Sequence, residues 1–464
     1  MESFFAVVGA ISGFFWNYLF LIVLVGGGLY LTIRLKFFQI RHLPYICKQT
    51  FGKILDKGKG EGTVSPFFAV STAMASTIGA SNIVGVPAAI AFGGPGALFW
   101  MWVIFILGGA TKFSEVVLGV HFREKNADGH YIGGPGYYMT KGFPIKAVGK
   151  GMALVGAFVC MIYYIPSIAT QSVSLIQNAE AMGINKYLSA AILTVLVGVV
   201  VLGGLIRVSK VASRIVPVMC ILYFLGCIIV IFANIGNLFP SLGLVFQSAF
   251  TGTAATGGFI GAGVSLAIRM GLARATYSCE AGMGSAPIAH AAAITDHPVR
   301  QGFWGVFEVL IDGTVCTLSG IVVLASGAWK EVGPAEAFTM PAVAFQKVLG
   351  PAGTYIVTIS VFLFVLSSII AVIWYAEKLV EFFFNTKISK YTRIIYTLSV
   401  MVGAFFGLEA ILAVLDLANA LIILPNMITV LILSPLVAKL VKEYFSGEQY
   451  YLKDSQQPPP KVVA

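Results

Sequence analysis

Charge is what this chain most lacks. Only 11% of its 464 residues are Asp, Glu, Lys or Arg, against roughly a quarter in soluble domains, while 58% are hydrophobic and the mean hydropathy is +0.89. No polar block of soluble-domain size interrupts the apolar stretches. That excludes a soluble enzyme and leaves one integral membrane domain, residues 1–445, followed by a polar, proline-rich tail, 446–464, read as disordered and cytoplasmic. Other absences narrow the class further. The first twenty residues hold Glu2 but no Lys or Arg, so they lack the basic region of a cleavable signal peptide, and 14–33 reads as a first span. The six cysteines have no metal-ligand spacing and most lie in apolar runs, which argues against a disulfide framework or a zinc site. There is no His-Glu-x-x-His helix and no Gly-x-Ser-x-Gly turn, so the chain does not read as an enzyme. Nor is there a selectivity-filter motif or a run of pore-facing acids to make it a channel.

What is present is a ladder of apolar runs. They give an all-α polytopic protein with eleven spans, at 14–33, 66–91, 97–120, 150–177, 187–206, 213–234, 243–270, 302–326, 353–380, 393–409 and 411–438. With the N-terminus outside, the inner segments carry 26 of the 30 Lys and Arg, as the positive-inside rule requires. The net charge of +10 is thereby explained by topology, with no need for nucleic acid as a partner. The partner is the bilayer of the cell membrane, crossed many times.

Two spans are unlike the rest. From Ala69 to Ala91 there is neither a charge nor an aromatic ring, yet the stretch holds Ser71, Thr72, Ser76, Thr77, Gly79, Ser81, Asn82, Gly85 and Pro87. Such residues weaken a helix, and hydrocarbon offers nothing to satisfy a freed backbone group. A helix broken around a site at the membrane midplane is the expectation. Gln247 to Ile268 has the same character, with Thr251, Gly252, Thr253, Thr256, Gly257, Gly258, Gly261 and Gly263. The clusters Ala75–Ser81 and Ala255–Gly261 lie about 180 residues apart, and each opens a set of five spans, 66–234 and 243–438. Five is odd, so the second set enters from the opposite face and the two halves form an inverted repeat, with 14–33 as an extra N-terminal helix. The alternative is that both runs are small-residue packing faces.

The stretch Gly93-Gly94-Pro95-Gly96-Ala97-Leu98-Phe99-Trp100-Met101-Trp102 resembles the signature of the alanine or glycine:cation symporter family. Gly133-Gly134-Pro135 with Tyr137-Tyr138, and Glu280-Ala281-Gly282-Met283-Gly284-Ser285-Ala286-Pro287 with His290, extend the resemblance over nearly the whole chain. Departures are Phe105 where a small residue is usual, Cys279 where Asn is usual, and Ala80-Ser81 where Thr-Gly commonly precedes the Asn. The family is similar in fold to the leucine-transporter group. The resemblance implies sodium-coupled uptake of small neutral amino acids such as alanine and glycine, with proton coupling in the same fold as the alternative.

A zwitterion needs donors for its carboxylate and acceptors for its ammonium, and a broken helix supplies both without an ionised side chain. By resemblance to the fold, amides near Gly79, Ala80 and Ser81 hold the carboxylate. Carbonyls near Thr77, Thr253 and Ala254, with the Thr256 hydroxyl and neighbouring Gly257, face the ammonium. Gln171, deep in an apolar span, must find partners; it reaches either the substrate or another helix. Ser367 and Ser368 match the adjacent-hydroxyl element of the fold's shared sodium site, completed by the carbonyls of Phe364, Ala75 and Ile78, unless they only bond back to the preceding turn. Asn82 is a candidate for a second cation or a cap on the unwound segment. Phe259, Trp374 and Tyr375 are candidate pocket walls.

Intramembrane charges are the remaining signals. Spacing pairs Lys112 with Glu115 and sets Glu308 beside Asp312, the latter two needing a proton or a distant partner such as Arg269 or Arg274; Asp416 stands alone. Gly282-Met283-Gly284 with Pro287 reads as a bend supporting an inner gate.

Overall fold

A computed structural model describes residues 11, 13–251, 263–405 and 408–446. Those residues are mostly helical. Helical turns at Phe15–Leu19 and Leu21–Gly26 lead into α1 (Gly27–Arg34). Next come α2 (Pro66–Thr77), a wide turn at Ser81–Gly85 and α3 (Val86–Gly93), then α4 (Gly96–His121), α5 (Lys146–Ala181), α6 (Lys186–Val201) and α7 (Gly204–Ala233). They are followed by α8 (Ile235–Thr251), α9 (Val264–Cys279), the short α10 (Ala286–His290), α11 (Pro298–Ala325) and α12 (Pro351–Phe383). Last are α13 (Thr386–Leu398), α14 (Leu408–Ile432) and α15 (Ser434–Ser446).

Among the described residues, six helices are long and apolar enough to cross a membrane, and seven if α2 and the helix after it count as one span. That pair is the broken helix expected from Ala69–Ala91: its halves are bent by 44° across residues 78–80. The local cause is legible. β-branched Thr77 and Ile78 precede Gly79, Ile78 leaves the helical region at φ −85°, ψ 80°, and Pro87 restarts a helix at its first turn, where its missing N–H is harmless. The matching interruption expected in 243–270 falls in 252–262, outside the described residues; α8 and α9 flank it. Expected loops are often shorter than they read. Residues 207–214, placed between spans by their three basic side chains, form the first turns of α7, because Leu202 and Gly203 with Gly204 at φ +72° complete the turn by themselves.

The core sits where α4 lies along α11, α5 along α12 and α14, and α9 against α4. An antiparallel ribbon pairs β1 (Glu124–Lys125) with β2 (Tyr131–Ile132), with Glu124 opposite Ile132. All six cysteines are free thiols, five of them buried.

The helix break and its buried polar shell

Residues 78–80 lie in the interior, and three elements converge on them. From α12 comes Ser368, fully buried, its hydroxyl without a hydrogen-bond partner. From α5 comes Gln171, whose Oε1 accepts the Ala80 N–H at 3.0 Å. A Cβ at Gly79 would stand 2.5 Å from Ser368 Oγ and 2.9 Å from Gln171 Nε2, so any side chain here pushes both polar groups away from the break. Asn82, just past the break, accepts the Gly79 N–H at 2.9 Å through Oδ1. Its amide nitrogen also donates to Asp312 Oδ1 of α11 at 2.6 Å.

The amides assigned by resemblance to a carboxylate, those of Gly79 and Ala80, are thus held by the side-chain oxygens of Asn82 and Gln171. Ser81 Oγ points to Asn82 Oδ1 at 3.4 Å. Thr77 bonds back along its own helix, to Ala73 O at 3.3 Å. The two serines of α12 divide. Ser367 donates to Phe364 O at 3.0 Å and touches Met219 Sδ at 3.3 Å, whereas Ser368 faces the break. Ala75, Ile78 and Phe364 are fully buried beside them. Trp374 and Tyr375 are buried, with the indole N–H and the phenol oxygen unpartnered. Thr253, Ala254, Thr256, Gly257 and Phe259 lie outside the described residues.

The buried charges pair otherwise than helix spacing suggests. Lys112 does not pair with Glu115, its neighbour one turn along α4; its Nζ lies 3.1 Å from Glu308 Oε1 on α11, both side chains fully buried. Glu308 also meets His290 Nε2 at 3.2 Å, and Gln301 meets the other ring nitrogen at 2.8 Å. Glu115 instead accepts from the Gly284 N–H at 3.0 Å and from Asn426 Nδ2 at 2.5 Å. Asp312 takes no arginine: Asn82 and Ser278 Oγ, at 2.8 Å, share its Oδ1, and its Oδ2 is buried and unpartnered. Arg274 goes to Asp416, at 3.6 Å. Local spacing misled because facing helices bring a counter-charge closer than one turn of the same helix does.

Sequence reasoning treated Glu280 only as part of a motif. It accepts from Ser76 Oγ at 2.6 Å and from Ser285 Oγ, which ties the last turn of α2 to the segment after α9. The available signal was a lone acid among small and apolar neighbours, Cys279, Ala281 and Gly282.

Fully buried carboxylates, a hydroxyl left without a partner and a helix opened at its middle are expensive in a membrane protein and make this the candidate site. The chain is 45% identical over 466 residues, covering 100% of it and 98% of the relative, to "Uncharacterized transporter YflA" of Bacillus subtilis (strain 168). It is 36% identical over 449 residues, covering 95% of it and 97% of the relative, to "Sodium/alanine symporter AgcS" of Methanococcus maripaludis. Its fold is similar to the crystal structure of MhsT in complex with L-phenylalanine, with a TM-score of 0.58 at 15% identity, covering 82% of this chain and 99% of that one; this is the leucine-transporter-like fold. A family model described as the sodium:alanine symporter family matches residues 1–458, and with the broken helix and its polar shell already in place, the chain belongs to that family.

Proposed function

We propose that this transporter couples inward sodium movement to uptake of a small neutral amino acid, alanine or glycine, by alternating access. The observation that carries the reading is the convergence of Ser368 Oγ and the Gln171 amide on Gly79. A buried hydroxyl with no partner costs about 1–3 kcal/mol, and a hard cation ligated by hydroxyl and carbonyl oxygens is what such a group fits. Sodium here is cargo: Ser368 and the carbonyls of Ala75, Ile78 and Phe364 hold it, with Ser367 as the hydroxyl that must first leave its own turn. Substrate carboxylate takes the amides of Gly79, Ala80 and Ser81 in exchange for Asn82 and Gln171 oxygens, and Gln171 turns its Nε2 to the anion. Thr77, with Thr253, Ala254, Thr256 and Gly257 of the second break, receives the ammonium, and Phe259 and Trp374 bound the side chain.

Asn82 and Asp312 make a second cation position. A carboxylate with one unpartnered oxygen there also favours the second reading, in which a proton replaces that cation. The membrane arrangement proposed with this is eleven spans in the cell membrane, 14–33 added to inverted repeats 66–234 and 243–438, N-terminus outside and tail 446–464 inside.

The experiment is uptake of radiolabelled alanine into proteoliposomes with a sodium gradient, a proton gradient or neither. Accumulation driven by sodium alone supports symport as stated, and accumulation driven by protons alone transfers the coupling to Asp312. Gradient-independent flux would make the protein a channel.

A further inference from the structure

Between α9 and α11 the chain runs from residue 280 to 297 without a helix longer than the five residues of α10. It is nevertheless interior: Ala281, Met283, Ile288, Ala289 and His290 are at most 4% exposed. Irregular backbone at membrane depth is stable only where protein surrounds it and satisfies its polar groups. Here the satisfaction comes from two directions. On the side where α2 begins, the Thr63 and Val64 amides donate to Ala292 O at 2.7 and 3.0 Å, and the Ile294 amide donates to Val64 O at 2.8 Å. Arg123 clamps the same place, donating to Ala293 O and to Glu61 O, each at 2.7 Å. Segment 280–297 and the approach to α2 therefore form one body across the Pro66 side of the break.

Toward the break, buried carboxylates hold that body. Glu280, left-handed at φ 52°, accepts from Ser76, one residue from Ala75 and two from Ile78. Glu115 of α4 holds the Gly284 amide, while Asn426 of α14 donates to Gly282 O at 2.8 Å. Glu308 of α11 holds His290. Gly284, at φ +78°, leaves no space for another residue, since a Cβ would lie 2.7 Å from Pro135 and 2.9 Å from Asn426 Oδ1.

We propose that residues 280–297 are the closure of the transport path on the Pro66 side of the break, and that Glu280 is its latch, a positioning residue that holds the last turn of α2 shut through Ser76. This rests on the transporter reading above. It adds that opening toward that face begins with loss of the Ser76–Glu280 bond, so the last turn of α2 parts from the closure while residues 61–64 stay bound to it.

A native reporter sits beside the latch. Cys279 is fully buried, and the half-buried Cys47 is removed as Cys47→Ser to clear the background. In sealed vesicles of known orientation, held in sodium and alanine, a membrane-impermeant maleimide is applied to one face at a time and Cys279 modification is read by peptide mass spectrometry. Ser76→Ala and Glu280→Gln are each expected to raise the modification rate about tenfold or more from the Pro66 face only, the size set by loss of a charge-assisted hydrogen bond. Ser76→Thr, which keeps the hydroxyl, stays at the wild-type rate. Where Glu280→Gln does not insert, Ser285→Ala removes one of the two donors and is expected to give a smaller rise from the same face. A wild-type rate in Ser76→Ala and in the tested partner variant, or an equal rise from both faces, overturns the assignment. Labelling needs no transport, so a failure of sodium-driven uptake is a separate result.

Discussion

At the scale of single residues, what decides the site is which polar atoms already have partners. Ser367 and Ser368 are identical and adjacent, yet only Ser367 is satisfied, by Phe364 O. Ser368→Ala is therefore expected to raise the sodium concentration for half-maximal alanine uptake roughly threefold to tenfold, the worth of one ligating hydroxyl, with Ser367→Ala shifting it less; sodium activation curves in proteoliposomes check this. Gly79→Ala forces a methyl to 2.5 Å from Ser368 Oγ. Relief requires the Ser368 hydroxyl and the Gln171 amide to turn away from the break, and the expected outcome is impaired uptake, read as initial rate in proteoliposomes, in a protein that still inserts and runs as a single species. Of these residues Gln171 and the helix-weakening Gly79 stood out because such residues are out of place in an apolar run, while Ser368 became a candidate through the resemblance to the fold's sodium site. Their mutual contact was not legible, since nothing in the sequence measures the distance between α5 and α12.

At the scale of elements, pairing across helices overrides pairing along them. The ion pair of Lys112 with Glu308, both side chains fully buried, joins α4 to α11 where the two helices lie along one another. Breaking one side of a buried pair leaves an uncompensated charge, at a cost of about 3–5 kcal/mol. Lys112→Met should thus lower thermal stability strongly, and Lys112→Met with Glu308→Gln should recover most of it, as read by thermal unfolding in detergent. The entry of α11 carries a milder device. His297 caps it by accepting the Val299 N–H at 3.2 Å on Nδ1, which must stay unprotonated. Burial pushes the imidazole down to about 4, with Glu443 and Asp296 opposing and Arg300 and His121 assisting. Because the folded value lies below the unfolded 6.5, the neutral cap contributes fully above pH 6.5 and is lost as pH falls toward 4. Melting temperature should drop between pH 7 and pH 5, and His297→Asn, which keeps a capping oxygen, should flatten that part of the curve.

At the scale of the whole molecule, the orientation proposed above rests on the 26 of 30 Lys and Arg that fall in alternate loops. A cysteine placed in the tail after Ser446 is expected to react with impermeant maleimide only from the cytoplasmic side of whole-cell preparations, and modification from outside would invert the arrangement. That the chain is a helical membrane protein was legible from composition, and that it is a transporter from the two helix-weakening runs, the five-span repeat and the resemblance carried by Gly93–Trp102. The shell that closes the break was not. Asn82 and Asp312 are 230 residues apart, and Ser76 and Glu280 are 204 apart.

The sequence alone determined the solvent this protein folds in, the existence of a helix that cannot stay continuous, and the place of that interruption near Gly79, because hydropathy and helix propensity act locally along the chain. Only the tertiary structure decided which acid serves Lys112, which serine of α12 is left wanting a partner, and that Glu280 reaches back to Ser76. Those are choices among buried charges and hydroxyls competing for partners within a few ångströms, and the competition is settled by how helices from distant parts of the chain are packed together.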